Sequence, residues 1–131
     1  MKFDCDKLAN SLELACPEII FALLHGSAKD GSMKAGSDLD IAIFVDCSPT
    51  LDLYQKTYDA ISSVIPVVEP DVGVLNNAEP VYRFEALKGK LLFCRDKETY
   101  LDFFSRTCRQ YEFQMADYQR QHRYRLEATK V

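Results

Sequence analysis

The sequence lacks the features that mark disulfide-rich, zinc-binding and membrane-spanning proteins. Its 131 residues include no tryptophan, five glycines, five prolines, and five cysteines without a Cys-x-x-Cys pair. An odd number of unpaired cysteines argues against a disulfide framework or a zinc site, so we expect free thiols in a reducing compartment. No apolar run approaches the ~20 residues of a membrane helix, and residues 1–6 lack the apolar segment of a secretory signal. The expected location is therefore cytoplasmic, with no membrane partner.

Basic residues are also in short supply, because 16 Lys and Arg face 20 Asp and Glu, a net charge of −4. A chain of this charge does not attract a phosphate backbone, so we expect no direct nucleic-acid binding. Residues 1–105 carry 10 Lys/Arg and 17 Asp/Glu (net −7), whereas residues 106–131 carry 6 and 3 (net +3). A basic tail on an acidic body is typical either of a segment that meets a partner or of a solvated helix end.

The apolar periodicity predicts alternating helices and strands within a single domain, residues 1–131. Strands are expected at residues 18–24, 38–45, 67–75 and 91–94, and helices at 6–15, from Ser48-Pro49 onward, at 79–87 and at 96–126. Pro70 inside the third strand indicates an edge position or a bulge. We therefore expect an α+β fold, a small mixed β-sheet of about four strands with flanking helices and a long C-terminal helix.

Two of the helices carry apolar residues at alternating spacings of three and four. In the second helix the predicted buried stripe consists of Leu51, Tyr54, Tyr58, Ile61 and Ile65. In the long helix it consists of Leu101, Phe104, Cys108, Tyr111, Met115 and Tyr118, which we expect to pack on the sheet in preference to forming a partner groove. The stripe ends after Tyr118, so the last turns are expected to project, and the best candidates there for contacting a partner are Arg120, Arg123 and Arg125.

The most informative segment joins a glycine-rich loop to a pair of aspartates. Gly26-Ser27 follows an apolar run, and ten residues later the strand at 38–45 opens with Asp38 and Asp40. Glycine lets backbone N–H groups approach phosphate oxygens, and the serine hydroxyl adds a donor. Asp38 and Asp40 leave the same face of a strand and supply the oxygen ligands that Mg²⁺ prefers. A phosphate cradle beside a magnesium site is what nucleotidyl transfer requires.

A third carboxylate on the next strand would complete such a metal site. Glu69 and Asp71 share a face of the predicted third strand, and Asp71 is favoured because residues 72–75 continue the strand beyond it. A contribution from Glu69 remains open. An EF-hand does not fit, since Ile-Ala-Ile at 41–43 stands where oxygen ligands are needed, and the Gly-Lys-Ser/Thr of a Walker loop is absent.

These residues resemble the nucleotidyltransferase superfamily named after DNA polymerase β. Gly26-Ser27, the ten-residue interval, Asp38-x-Asp40 and the later Asp71 match its motif, and the small size is similar to its minimal nucleotidyltransferase branch. The resemblance covers most of the chain. It implies that Gly26 and Ser27 hold the triphosphate of ATP, that Asp38 and Asp40 bind two Mg²⁺ ions, and that Asp71 is a third metal ligand and activates the nucleophile.

The same resemblance implies a function, because many members of that branch are antitoxins paired with a HEPN-domain RNase toxin. It implies transfer of AMP from ATP to a tyrosine of the toxin. The nucleotide-binding core takes up nearly the whole chain. Few residues remain to form a pocket for a small acceptor, and this favours a protein acceptor. Two alternatives stay open: an antitoxin that neutralises its toxin by binding alone, and a small-molecule nucleotidyltransferase.

Overall fold

Four strands form a mixed sheet in the computed structural model, which describes residues 2–26, 31, 39–66 and 69–128. The elements follow in the order α1 (Cys5–Ala15), β1 (Ile19–His25), β2 (Leu39–Val45), α2 (Leu51–Ser62), β3 (Pro70–Val74), α3 (Pro80–Leu87), β4 (Lys90–Cys94) and α4 (Lys97–Ala128). The strands lie side by side as β3-β2-β1-β4. β1 pairs antiparallel with β2 and β4, whereas β2 and β3 are parallel. The expected α+β class, mixed sheet and long C-terminal helix are confirmed, and the strand that begins at Pro70 lies at an edge.

Helices cover both faces of the sheet, so the strands bury residues on both sides. On one face, α1 and α2 pack on the odd-numbered residues of β2, which are Leu39, Ile41, Ile43 and Val45. On the other face, Ala42 and Phe44 pack with residues of α3 and α4. The alternation predicted for β2 is therefore confirmed, and Asp40 lies on the face that α3 and α4 cover.

The start of α2 differs from the prediction that Ser48 caps it with Pro49 in its first turn. The helix begins at Leu51, and Thr50 is its cap. The Thr50 hydroxyl oxygen accepts a hydrogen bond from the backbone N–H of Leu53 at 3.1 Å. An N-cap residue has extended backbone angles and a side-chain oxygen that can accept from the first turn, and Thr50 has both. Pro49 precedes this cap and therefore lies outside the helix.

The buried face of α2 is also shifted from the predicted stripe. Leu51 is 88% exposed and Tyr58 is 38% exposed, although Ile61 is buried as expected. The buried residues of the helix are Leu53, Thr57, Ala60 and Ile61. The Thr57 hydroxyl donates to the Leu53 carbonyl at 2.8 Å, which satisfies the polar group inside the core. A pattern that counts only large apolar residues misses the small ones that let helices pack closely.

Only the first part of α4 packs on the sheet. Its buried residues are Phe103 and Thr107, whereas Leu101 and Phe104, which were predicted to be core, are 52% and 41% exposed. The core-facing side of the helix is thus turned by about one residue from the predicted stripe. Phe103 takes part in an aromatic cluster with Phe21 of β1, at 5.4 Å between ring centroids.

The rest of α4 extends beyond the sheet. A helix of 32 residues is ~48 Å long, whereas strands of five to seven residues span ~17–24 Å. Within the described chain the predicted stripe residues Cys108, Tyr111 and Met115 are half-buried, and Tyr111 stacks on Phe84 of α3 at 3.8 Å between ring centroids. Tyr118, expected in the core, is 64% exposed. The predicted projection therefore begins after Met115, about one turn earlier than expected. Neither α4 nor any other described helix is long and apolar enough to cross a membrane.

Candidate active site

Gly26 turns the chain sharply where β1 ends. Its φ of +75° lies in the left-handed region, which residues with a Cβ rarely adopt. A Cβ built on Gly26 would lie 2.4 Å from Oδ2 of Asp40, far inside van der Waals contact. Glycine is therefore needed here both for the backbone conformation and for the space it leaves beside the Asp40 carboxylate.

Asp40 and Asp71 are neighbours in the sheet. In the parallel pairing of β2 with β3, Asp40 lies opposite Asp71, and on its other side Asp40 lies opposite His25 of β1. Paired residues of adjacent strands point to the same face, and the strands are about 4.8 Å apart. Asp71 is exposed on the edge strand, and Asp40 is half-buried. The fold thus brings Gly26, Asp40 and Asp71 together at one end of the sheet.

Glu69 occupies a different position from Asp71. It is exposed and precedes the first residue of β3, Pro70. It lines a surface cavity together with Tyr58 and Ser62 of α2, the helix that covers the opposite face of the sheet. The alternation that would have placed Glu69 beside Asp71 does not extend back to it, because the strand starts only at Pro70.

Two of the residues predicted for the site, Ser27 and Asp38, lie outside the described residues. Of the predicted set, the structure therefore describes Gly26, Asp40 and Asp71. Their convergence depends on the strand–helix–strand unit β2-α2-β3, because parallel strands need a crossover connection between them.

His25 ends β1 immediately before the Gly26 turn. Its place at the end of a buried strand favours a packing role over catalysis, and its ring meets the ring of Tyr82 edge-to-face, 5.6 Å between centroids. Burial lowers the pKa of His25, and the carboxylates of Asp40 and Asp71 oppose that shift. Its Nε2 is buried and has no hydrogen-bond partner among the described residues.

Tyr82 of α3 also borders the site, and the sequence did not point to it. A Cβ built on Gly73 would lie 2.0 Å from the Tyr82 hydroxyl oxygen, so the phenol end rests directly on the β3 backbone. Burial raises the pKa of Tyr82, and the nearby charges of Asp71 and Asp40 raise it further. The one available signal was a glycine inside a strand, which often marks a close approach of another group.

The carboxylate oxygens at this end of the sheet fit the ligand preference of a magnesium ion. Mg²⁺ prefers oxygen ligands, and in substrate-assisted sites it takes one or two carboxylates and keeps its other positions for water and phosphate oxygens. Asp40 and Asp71 provide two such carboxylates side by side. Within the described ranges no group of three or more His, Cys, Asp or Glu could hold a metal by itself. The arrangement matches an open site that substrate completes.

Several solved structures share this fold. A chain of the toxin–antitoxin MntA-HpeT mutant superposes with a TM-score of 0.75 at 18% identity, covering 94% of this chain and 98% of that one. A chain of a toxin–antitoxin crystal structure with AMP-PNP gives 0.73 at 19%, with coverage of 94% and 98%. A complex of a tri-AMPylated Shewanella oneidensis HEPN toxin with MNT antitoxin gives 0.68 at 18%, with coverage of 93% and 95%. At these identities the likeness establishes the fold.

The sequence itself matches a family. No curated protein matches the chain significantly. The family described as Polymerase beta, Nucleotidyltransferase matches residues 6–98, a segment that contains the Gly26 turn and the strands that carry Asp40 and Asp71. This match covers well over half of the 131 residues. The resemblance drawn from the motif is thereby confirmed, and the chain belongs to the polymerase beta nucleotidyltransferase family.

Proposed function

We propose that this chain transfers AMP from ATP, with Mg²⁺, to a tyrosine of a partner HEPN RNase toxin and so acts in the cytoplasm as the antitoxin of a toxin–antitoxin pair. The observation that carries the proposal is the pairing of Asp40 with Asp71 beside the Gly26 turn. Two of the structures that share this fold are a toxin–antitoxin with AMP-PNP and a tri-AMPylated HEPN toxin in complex with MNT antitoxin. The whole chain acts as a single nucleotidyltransferase domain.

The proposed roles of Gly26, Asp40 and Asp71 are supported by their positions, and those of Ser27 and Asp38 by the sequence motif. Gly26, with Ser27, holds the triphosphate, because a chain turn without a Cβ exposes backbone N–H groups to phosphate oxygens. Asp38, Asp40 and Asp71 hold the metal. Bound Mg²⁺ neutralises charge on the phosphates and favours ionisation of the attacking hydroxyl. The tyrosine oxygen then forms a bond to the α-phosphorus, pyrophosphate leaves with the electron pair of the broken bond, and the carboxylate of Asp71 accepts the hydroxyl proton.

A protein acceptor is supported by the projecting part of α4, which we define as residues 116–128, all of them exposed. It carries exposed aromatic side chains, among them Tyr118 (64% exposed) and Tyr124 (63% exposed). Tyr118, His122 and Arg123 also line a shallow groove of about 350 Å³. Exposed aromatic residues beside arginines are typical of protein interfaces, and residues 106–131 carry a net charge of +3. We propose that the toxin docks on this part of the helix.

The direct test is the intact mass of the product of the adjacent gene after co-expression with this chain. We expect the partner to gain one or more AMP units with the native chain and none with Asp40→Asn, which keeps the shape of the side chain and removes its charge. Asp52→Asn, an exposed carboxylate on α2, is the matched control and should leave the modification intact.

The outcomes separate the three candidate functions. A stable complex with no mass change, and full protection of cells by Asp40→Asn, would show an antitoxin that acts by binding alone. No complex and no mass change would direct attention to small-molecule acceptors and to a homodimer. The exposed aromatic residues of α4 favour the binding antitoxin as the second candidate, because binding requires that surface and no carboxylate pair.

A further inference from the structure

Tyr82 connects the elements that form the candidate active site. It lies in the first turn of α3, and its ring edge meets His25 at the end of β1. Its hydroxyl oxygen occupies the space above Gly73 of β3, 2.0 Å from where a Cβ would be. Gly73 follows Asp71 by two positions, so the two residues share one face of the strand. The phenol oxygen is therefore directed to the same face as the two carboxylates.

The hydroxyl of Tyr82 is a neutral group that can donate one hydrogen bond. The pKa of the phenol is raised, first by burial and then by Asp71 and Asp40, so it keeps its proton at neutral pH. Among the described residues no side chain or carbonyl accepts a hydrogen bond from it. A partly buried O–H group without a protein acceptor is suited to a bound ligand, because polar groups that leave water need a partner.

We propose that the Tyr82 hydroxyl is a substrate-contacting donor of this site and that it binds a phosphate oxygen of the nucleoside triphosphate. This inference rests on the proposed nucleotidyltransferase function. Phosphate is the acceptor that the surroundings favour. A triphosphate held beside Asp40 and Asp71 has many oxygens that accept hydrogen bonds, and ionised carboxylates donate none to them. A neutral O–H group there binds the nucleotide without competing for the metal.

The rival interpretation is that Tyr82 only packs between α3 and the sheet. Tyr82→Phe separates the two, since it keeps the ring and its contact with His25 and removes the hydroxyl oxygen alone. Tyr100→Phe is a matched control, because Tyr100 is another partly buried tyrosine on the same face whose ring packs on Phe21, at 5.0 Å. Titration calorimetry with AMP-PNP and Mg²⁺ measures binding without any transfer step, and thermal unfolding reports folding.

We expect Tyr82→Phe to raise the dissociation constant for AMP-PNP about tenfold, the size of one hydrogen bond to a charged acceptor, at an unchanged unfolding temperature. Tyr100→Phe should bind like the native chain. Equal affinities of Tyr82→Phe and the native chain would overturn the inference, and persistent AMP transfer to the partner would then leave the proposed function standing. Weaker binding by Tyr82→Phe alone would support the contact even if the partner were never modified.

Discussion

The two faces of the sheet differ in chemistry. The face covered by α1 and α2 is aliphatic, and its fully buried residues include Leu8, Leu12, Ile41 and Ile43. The face covered by α3 and α4 is aromatic, with Phe21 stacked on Phe44 at 5.0 Å between centroids. That second face also carries the polar side chains of the candidate active site, His25, Asp40, Asp71 and Tyr82.

This difference indicates that the aliphatic core and the residues of the proposed chemistry lie on opposite faces of the sheet. The aliphatic face contributes mainly through burial, and aliphatic burial has no directional requirement. On the aromatic face the strand positions at Asp40 and Asp71 remain accessible, since Asp71 is exposed and Asp40 is half-buried. Substitutions in the aliphatic face should therefore change folding alone, and substitutions of the polar residues on the other face should change nucleotide interactions.

The largest change in free energy is expected on the aliphatic face. Leu12→Ala removes a side chain that is fully buried between α1 and the sheet, and should lower the free energy of unfolding by about 2–5 kcal/mol. Urea unfolding measures this loss. At temperatures where the variant is folded, AMP transfer per molecule should stay within about twofold of the native rate, since no site residue loses a contact. A large loss of transfer by folded Leu12→Ala would show that the two faces are coupled.

The second prediction concerns the Gly26 turn. Gly26→Ala imposes a Cβ at φ +75°, at a cost of about 1–3 kcal/mol, and forces the Asp40 carboxylate out of its place. We expect AMP transfer to fall about 100-fold, because small displacements of a reacting group are costly. The partner's mass after timed co-incubation measures the rate, and calorimetry with AMP-PNP measures nucleotide affinity. Transfer within threefold of native would show that Asp40 can rotate without consequence.

The strands and their faces could be predicted because a strand has a period of two. Alternation in β2 assigned Ile41 to one face and Asp40 to the other, and the structure places them so. Pro70 predicted an edge position or a bulge, because proline lacks the N–H that a residue of an inner strand donates to a neighbouring strand, and β3 lies at an edge. The proximity of Asp40 to Asp71 was also within reach, since the helix between their strands permits a parallel pair.

The helix faces and the surroundings of the carboxylates could not be predicted in the same way. Thr57 and Thr107 are buried although they are polar, and a stripe of large apolar residues excludes both. The contact of Tyr82 with Gly73 joins two elements whose relative position is set by tertiary packing. A local sequence pattern does not specify how closely α3 packs on β3. The glycine inside the strand was therefore the one signal of this contact.

The third prediction tests the projecting part of α4, which belongs to neither face. Arg123→Glu reverses a charge in the groove beside Tyr118 and should weaken the complex with the proposed toxin partner about tenfold, with no change in unfolding temperature. Arg109→Glu, an exposed arginine nearer the start of the helix, is the matched control. Calorimetric titration of the toxin measures the affinity. If both variants bound the proposed partner as tightly as the native chain does, the docking surface would lie elsewhere on the chain.

The smallest effect is expected from an ion pair at the rim of the aliphatic face. Glu18 Oε1 lies 2.6 Å from Nζ of Lys56 in α2, and this hydrogen bond is the main cause of the lowered pKa of Glu18. A carboxylate whose pKa is lowered on folding stabilises the fold above its ordinary pKa of 4.5, and that contribution disappears as pH falls through the lowered value.

Glu18→Gln should therefore lower the urea midpoint slightly at pH 7, and the difference from the native chain should shrink below pH 4.5 and vanish in stronger acid. The control is Glu85→Gln, which breaks a more exposed pair with Lys88 at 3.1 Å and should show little difference at either pH. Equal urea midpoints for Glu18→Gln and the native chain at every pH would mean that the side chain acts by packing, because glutamine keeps its shape. In that case the aliphatic face would be stabilised by burial alone, up to its rim.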